Sequence, residues 1–207
     1  MAVASTLPRT ILPARVGQPE LPAGLVNVGY SGKAQLRGGV SAGWKWTESW
    51  SVLTSGNASV EELLGFFDHY WNLSGTFNAQ HLRLPGQGLG NNGSHSSGSC
   101  LVDGAGQTGT TLHVDGLDAS ESQAIRVGDW LQIGTRCHRV TSDAASDGSG
   151  DADVTIMPGI LAAYADNATV TLTSGVFKVF IADYSRPVAT PDGFYAGLSV
   201  TFQEALT

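Results

Sequence analysis

The residues that could carry chemistry in this chain are few and poorly grouped. Its five histidines are His69, His81, His95, His113 and His138. They form neither an H-E-x-x-H pattern nor an i, i+4 pair, the spacings that bring two imidazoles onto one helical face around zinc. A Ser-His-Asp triad needs a strained nucleophile turn, and no G-x-S-x-G run is present to single out a serine. The carboxylates that could pair for glycoside chemistry, Glu61, Glu62 and Asp68, fall within one helical stretch and read as its solvated face. Gly88-Leu89-Gly90-Asn91-Asn92-Gly93 spells G-x-G-x-x-G, but a dinucleotide site needs that motif to open a helix. The next residues are SHSSGS, without apolar periodicity, so the segment reads as a flexible linking loop.

Two further groups fail for the same reason of spacing. The run from Asp143 through Asp147 and Asp151 to Asp153 looks like a calcium loop, yet it lacks the alternating oxygens and closing bidentate glutamate that such a loop requires; a hairpin turn fits better. Cys100 and Cys137 are too few for a disulfide framework or a zinc site, and only the fold can say whether they meet. No catalytic, cofactor-binding or metal-ligating residue is nominated, and no cofactor is implied.

Composition narrows the class. The chain has 207 residues, 27 of them glycine, with 14% charged residues and a net charge of −7. Disordered chains show the reverse balance, so a folded, turn-rich protein is expected. An acidic chain without a basic patch is a poor ligand for nucleic-acid phosphates. Arg126, Arg136 and Arg139 are interleaved with apolar residues and read as scattered surface charges on strands. No apolar run approaches membrane-spanning length, and the start lacks the charged and apolar regions of a signal peptide, which points to the cytoplasm with thiols reduced. Asn57, Asn72, Asn92 and Asn167 open N-x-S/T triplets that are then chance matches.

Residues 1–24 contain Pro8, Pro13, Pro19 and Pro22, which impose an extended arm. Its apolar residues Leu7, Ile11, Leu12, Val16 and Leu21, with Leu25 just beyond, leave two readings open: an arm lying across a neighbouring surface, in the same or another copy, or a disordered leader. From 40 to 53 the chain alternates as a strand, with Trp44, Trp46 and Trp50 on one face as core of a sandwich. One helix is predicted over 59–73. Ser59 and Glu62 read as its capping box, and Val60, Leu63, Leu64, Phe67 and Trp71 as its apolar stripe, widened by Phe66 and Tyr70. Burying five such side chains is worth roughly 10 kcal/mol gross, so the helix must dock. Phe77 to Leu84 reads as a strand. Short strands come next at 110–114, 130–133, 138–141, 154–157 and 169–173, with turns at Asp115-Gly116, Gly128-Asp129, Asp147-Gly148 and Pro158-Gly159. Val176–Asp183 and Tyr195–Glu204 are longer strands that can rejoin the first domain. The expected organisation is mainly β: a β-sandwich with one flanking α-helix (25–97 and 174–207) and an inserted small β-barrel-like domain (98–173), preceded by the arm.

The segment 104–172 resembles a family of siphophage and prophage minor tail proteins. The likeness rests on Gly106-Gln107-Thr108-Gly109, Val127-Gly128-Asp129-Trp130-Leu131-Gln132-Ile133-Gly134, His138-Arg139-Val140-Thr141, Asp147-Gly148-Ser149-Gly150 and the stretch from Pro158 to Ala163. Trp44 to Trp50, Gly175-Val176-Phe177 and Gly193-Phe194-Tyr195 flank it. The resemblance implies a non-enzymatic distal-tail or tail-tip protein forming a hexameric ring between the tail tube protein and the hub or fibre proteins, located in the virion and assembled in the host cytoplasm. Two rivals share the pattern: a carbohydrate- or receptor-binding barrel with Trp130 and Tyr164 exposed, and a tail-tube or tail-terminator subunit.

Overall fold

The computed structural model describes residues 5–21, 24–27, 34–37, 43–73, 75–80, 92–173 and 175–206, with backbone alone for 24–27 and 34–37. It is mainly β, with one helix and a small closed barrel. Two compact units form. Residues 1–20, 43–86 and 176–207 make one, and residues 21–42 and 87–175 make the other. Of the residues expected in the first unit (25–97 and 174–207), the described 25–27, 34–37 and 92–97 cluster with the second.

The first unit is an antiparallel sheet in the order β1 (Arg15–Val16), β4 (Lys45–Thr54), β14 (Phe194–Glu204), β12 (Phe177–Ser185) and β5 (Phe77–Ala79), with β13 (Val188–Ala189) pairing β14. Register sets Trp46 opposite Phe202, Glu48 opposite Val200 and Trp50 opposite Leu198. Directly opposed residues share a face, and this is the buried one. The three tryptophans are core: Trp46 stacks at 5.0 Å on Phe177 and 5.4 Å on Phe202, and Trp50 lies 5.6 Å from Phe67.

Helix α1 (Ala58–Leu73) supplies Val60, Leu63, Phe66, Phe67 and Tyr70 to that face. The expected stripe is therefore rotated. Leu64 is half-buried, and Trp71 is 40% exposed with its ring 6.1 Å from that of Tyr184. The cap also differs. Asn57, not Ser59, stops the helix: its Oδ1 accepts the Ser59 N–H at 3.0 Å, while Glu61 Oε1 accepts the Gly56 N–H at 3.3 Å. Asparagine is among the strongest N-caps, and the capping box expected at 59 and 62 is replaced by these two separate bonds at the helix start.

The arm lies on this same unit in extended form. Thr6 bridges Asn78 on β5, β1 pairs β4, and Glu20 bridges Lys45. Both outer strands of the sheet thus receive arm residues, which covers the unpaired edges that invite aggregation.

The second unit closes six strands in the order β10 (Ala152–Ile160), β7 (Gly109–Asp115), β6 (Ser99–Val102), β11 (Thr169–Thr171), β8 (Trp130–Ile133) and β9 (Arg136–Val140). A barrel this small is filled by side chains, here including Val102, Leu112, Val114, Leu131, Ile133, Val154, Ile156 and Val170. The β8–β9 hairpin turns at Gly134-Thr135, with Gly134 at φ 59°, where two-residue hairpins demand glycine. Strand β6 is not among the strands expected from sequence. Pro158-Gly159, expected as a turn, lies inside β10. There the register with β7 shifts between Thr155 and Ile160, and such an irregularity tolerates a residue without an N–H. A separate hairpin joins β2 (Gly24–Asn27) and β3 (Ala34–Arg37). No helix among the described residues is long and apolar enough to cross a membrane.

Candidate functional site

Catalysis and tight binding both draw on polar groups removed from water, so the buried polar side chains are the places to look. In the first unit the foremost is Glu48, fully buried on β4 in the same parity as Trp46 and Trp50. Its carboxylate receives both terminal nitrogens of Arg9, one of them at 2.9 Å, and the Trp46 indole N–H at 3.1 Å. Arg9 also donates to the Gln80 carbonyl. The arm thus carries the counter-ion for a charge on the core face. Bidentate pairing of this kind engages both carboxylate oxygens and leaves neither free to act as base or ligand. Glu204 and Thr201 are likewise spent on structure. Glu204 accepts the Trp44 N–H at 3.2 Å, and Thr201 shares a 2.9 Å hydroxyl contact with Thr47.

In the barrel, His138 is fully buried beside Arg136. Its Nδ1 donates to the Pro158 carbonyl at 2.7 Å, and its Nε2 accepts from the Tyr164 hydroxyl at 2.6 Å. The carbonyl can only accept, so a neutral ring carries its proton on Nδ1. Burial pushes the imidazole pKa down to about 4; the Pro158 bond opposes this and the Arg136 charge adds to it. A histidine kept neutral with both nitrogens engaged fastens the β10–β11 connection to β9. Arg136, expected on the surface, is buried by register opposite Ile133, whereas Arg139 is half-buried with its guanidinium 5.9 Å from the centre of the Trp130 ring.

Asp129 is 1% exposed and is the most heavily bonded carboxylate of this unit. Oδ1 accepts the Asn92 backbone N–H at 2.7 Å and its side-chain amide at 2.6 Å; Oδ2 accepts Arg126 N–H at 2.9 Å and Gly93 N–H at 3.2 Å. Nearby, His95 Nδ1 accepts the Asp118 N–H at 3.1 Å, and the Ser96 N–H bonded to Asp118 holds that carboxyl below the usual range. Ser146 accepts the Glu121 N–H at 2.9 Å and donates to the Asp118 carbonyl. Residues 92–98 are therefore stitched to the barrel and do not form the flexible linker expected. His81 and residues 81–91 lie outside the described residues.

An open cleft of about 540 Å³ is lined by Asp103, His113, Asp143, Asp147, Asp151 and Asp153 among others. Asp147 spends Oδ1 on the Ser149 and Asp151 N–H groups at 2.7 and 3.0 Å, which hold its carboxyl low. Desolvation, then the charges of Asp147, Asp103 and Asp115, push Asp151 up. The acidic run is the hairpin turn, and among the described residues no three His, Cys, Asp or Glu side chains converge at metal-holding distance. His113 pairs with Asp153 at an exposed position, and His69 packs edge-on against Tyr70 at 5.0 Å. Cys100 faces the barrel interior while Cys137 lies opposite Gln132 on the other parity, and both are free thiols.

Trp130, expected exposed if the barrel binds glycans, is 5% exposed. Sequence reasoning passes over Glu48, Asp129 and His138 as centres. Signals are present: Glu48 shares the parity of the tryptophans, and Asp129 directly follows a glycine, which adopts φ 91°. No protein-family model matches the chain, and no curated protein matches it either.

Proposed function

We propose that this chain is a structural, non-enzymatic component of a bacteriophage tail: the distal tail protein, forming a hexameric ring between the tail tube and the tail-tip hub or fibres. The observation that carries the reading is the architecture. A small closed barrel is inserted in sequence between β5 and β12 of a sheet flanked by one helix, the arrangement implied by the resemblance of segment 104–172 and its flanks. The buried polar groups support it from another side, because Glu48, Asp129 and His138 bond to backbone, to aromatic N–H and O–H groups, to an amide or to a counter-ion. They do not converge on an open cavity.

A ring requires a heterologous interface that closes on itself, of about 1,000 Å² or more per contact. A surface suited to part of such a contact exists where the ends of β4, β14 and β13 meet. Register sets Val52 beside Ala196 and Ala196 beside Val188, with Val52 and Val188 60% and 70% exposed and Phe194 on the same strand end. The net charge of −7 suits a lumen along which DNA passes without adhering.

Mass measurement of purified assemblies is expected to give multiples of six, with the protein at the distal end of the tube in images of intact particles. A chain that stays monomeric at every concentration and in the virion refutes the ring. Copy number separates the tail-tube alternative, since tube subunits outnumber a single ring many times over. The buried Trp130, one of the two aromatics named for the glycan-binding alternative, speaks against that reading.

A further inference from the structure

We infer that the Asn92–Gly93 step is a spontaneous deamidation site held shut by Asp129, and that its conversion irreversibly loosens residues 92–98 from the barrel. Asn-Gly is the dipeptide in which the second residue's backbone nitrogen reaches the first residue's side-chain carbon most easily, because glycine has no side chain in the way. Packing imposes the glycine, and the carboxylate of Asp129 engages the asparagine. A Cβ at position 93 would stand 2.1 Å from the Ala124 carbonyl oxygen and 2.9 Å from Ile125 Cα, so no larger residue fits. Asp129, nearly fully buried, takes two of its hydrogen bonds from Asn92 and one from Gly93. A buried carboxylate needs such donors. The fold therefore calls for the labile pair at this one place.

The same bonds restrain the reaction. The leaving amide, Asn92 Nδ2, is held at 2.6 Å on Oδ1, and the attacking atom, the Gly93 nitrogen, points its proton at Oδ2 from 3.2 Å. Attack requires that proton to leave and the Asn92 side chain to turn its Cγ onto the nitrogen. Losing an amide proton next to a carboxylate is disfavoured electrostatically, and turning the side chain breaks its bond to Asp129. Reaction accordingly proceeds through the opened turn. In that state the Gly93 N–Cγ bond forms, the Cγ–Nδ2 bond breaks, and the amide proton departs with ammonia. Water, which reaches the exposed Asn92, then opens the imide at either carbonyl to give aspartate or isoaspartate. The sum is one water consumed and one ammonia released. Reclosure would set a new carboxylate against Asp129 where a donor stood at 2.6 Å, two like charges at hydrogen-bond distance. The opening becomes permanent.

The test uses the full chain. Peptide mapping by mass spectrometry tracks acid and isoaspartate at position 92 during incubation in mildly alkaline buffer, folded and in concentrated urea. Conversion in the folded protein is expected to be slower by on the order of a hundredfold; equal rates overturn the inference. Asp129→Asn should bring the folded rate toward the unfolded one. If that variant does not fold, the urea comparison still decides. Asn92→Asp should melt lower and be cleaved faster within 92–98 than Asn92→Ala, which removes the donor without adding charge; an Asp variant no worse than the Ala variant overturns the loosening.

Discussion

His138 makes the stability of the barrel depend on pH, in a direction that its surroundings determine. In the unfolded chain its pKa is the ordinary 6.5, and in the fold it is about 4. Between those values the unfolded state binds the proton and the folded state does not, so acid favours unfolding there. The contribution is fully present above pH 6.5 and is lost as the pH falls toward 4. A difference of two to three pKa units corresponds to about 3 kcal/mol, a large fraction of a small domain's stability. The perturbation that isolates this from the many carboxylates titrating nearby is His138→Asn, whose amide can still donate toward the Pro158 carbonyl but does not titrate. Urea unfolding of both proteins between pH 4 and 7 is expected to give a stability difference that changes by about 3 kcal/mol across the window. An NMR titration of the His138 ring in the folded protein supplies the direct reading. A folded midpoint at or above 6.5, or a wild-type-minus-variant difference that is flat with pH, refutes the account of a desolvated neutral ring.

Other buried groups set two more expected outcomes. Arg9→Ala leaves the Glu48 carboxylate on the core face without its counter-ion and should cost about 3 kcal/mol in chemical unfolding, whereas Arg9→Met combined with Glu48→Leu should recover most of that loss; a single variant within error of wild type would show the pair to be dispensable. Burial, aided by the Asp115 charge, pushes the Cys100 thiol up to about 12, so a thiolate reagent at pH 8 should leave it unlabelled until urea is added. Cys100 and Cys137 occupy opposite parities of the barrel wall, and oxidant should leave the mass of the folded chain unchanged; rapid labelling or loss of two hydrogens would contradict that placement.

Local pattern is enough to read several elements. The parity of Trp44, Trp46 and Trp50 identifies one face of β4 as core, and helical spacing locates α1 within a residue at its start. Strand β8 is legible over its full length at Trp130–Ile133, because a short apolar run bounded by the turn glycines Gly128 and Gly134 marks a strand buried on both sides. Local signals fail where two of them compete. Asn57 and Ser59 are about equally good caps, and local pattern does not say which of them the helix starts from. Pro158-Gly159 carries turn chemistry, but closure of the barrel demands a strand through it.

What tertiary structure alone decided is the pairing of groups far apart in the chain. Arg9 is 39 residues from Glu48 and Asn92 is 37 from Asp129, and no period of 2 or 3.6 encodes such a match. The sequence by itself determined a mainly β chain with one helix, since side-chain alternation and helical spacing are properties of neighbours. It left open which polar residues would be buried and what would satisfy them. Desolvation depends on the closed barrel and on the arm laid along the sheet, and those exist only once distant strands have met.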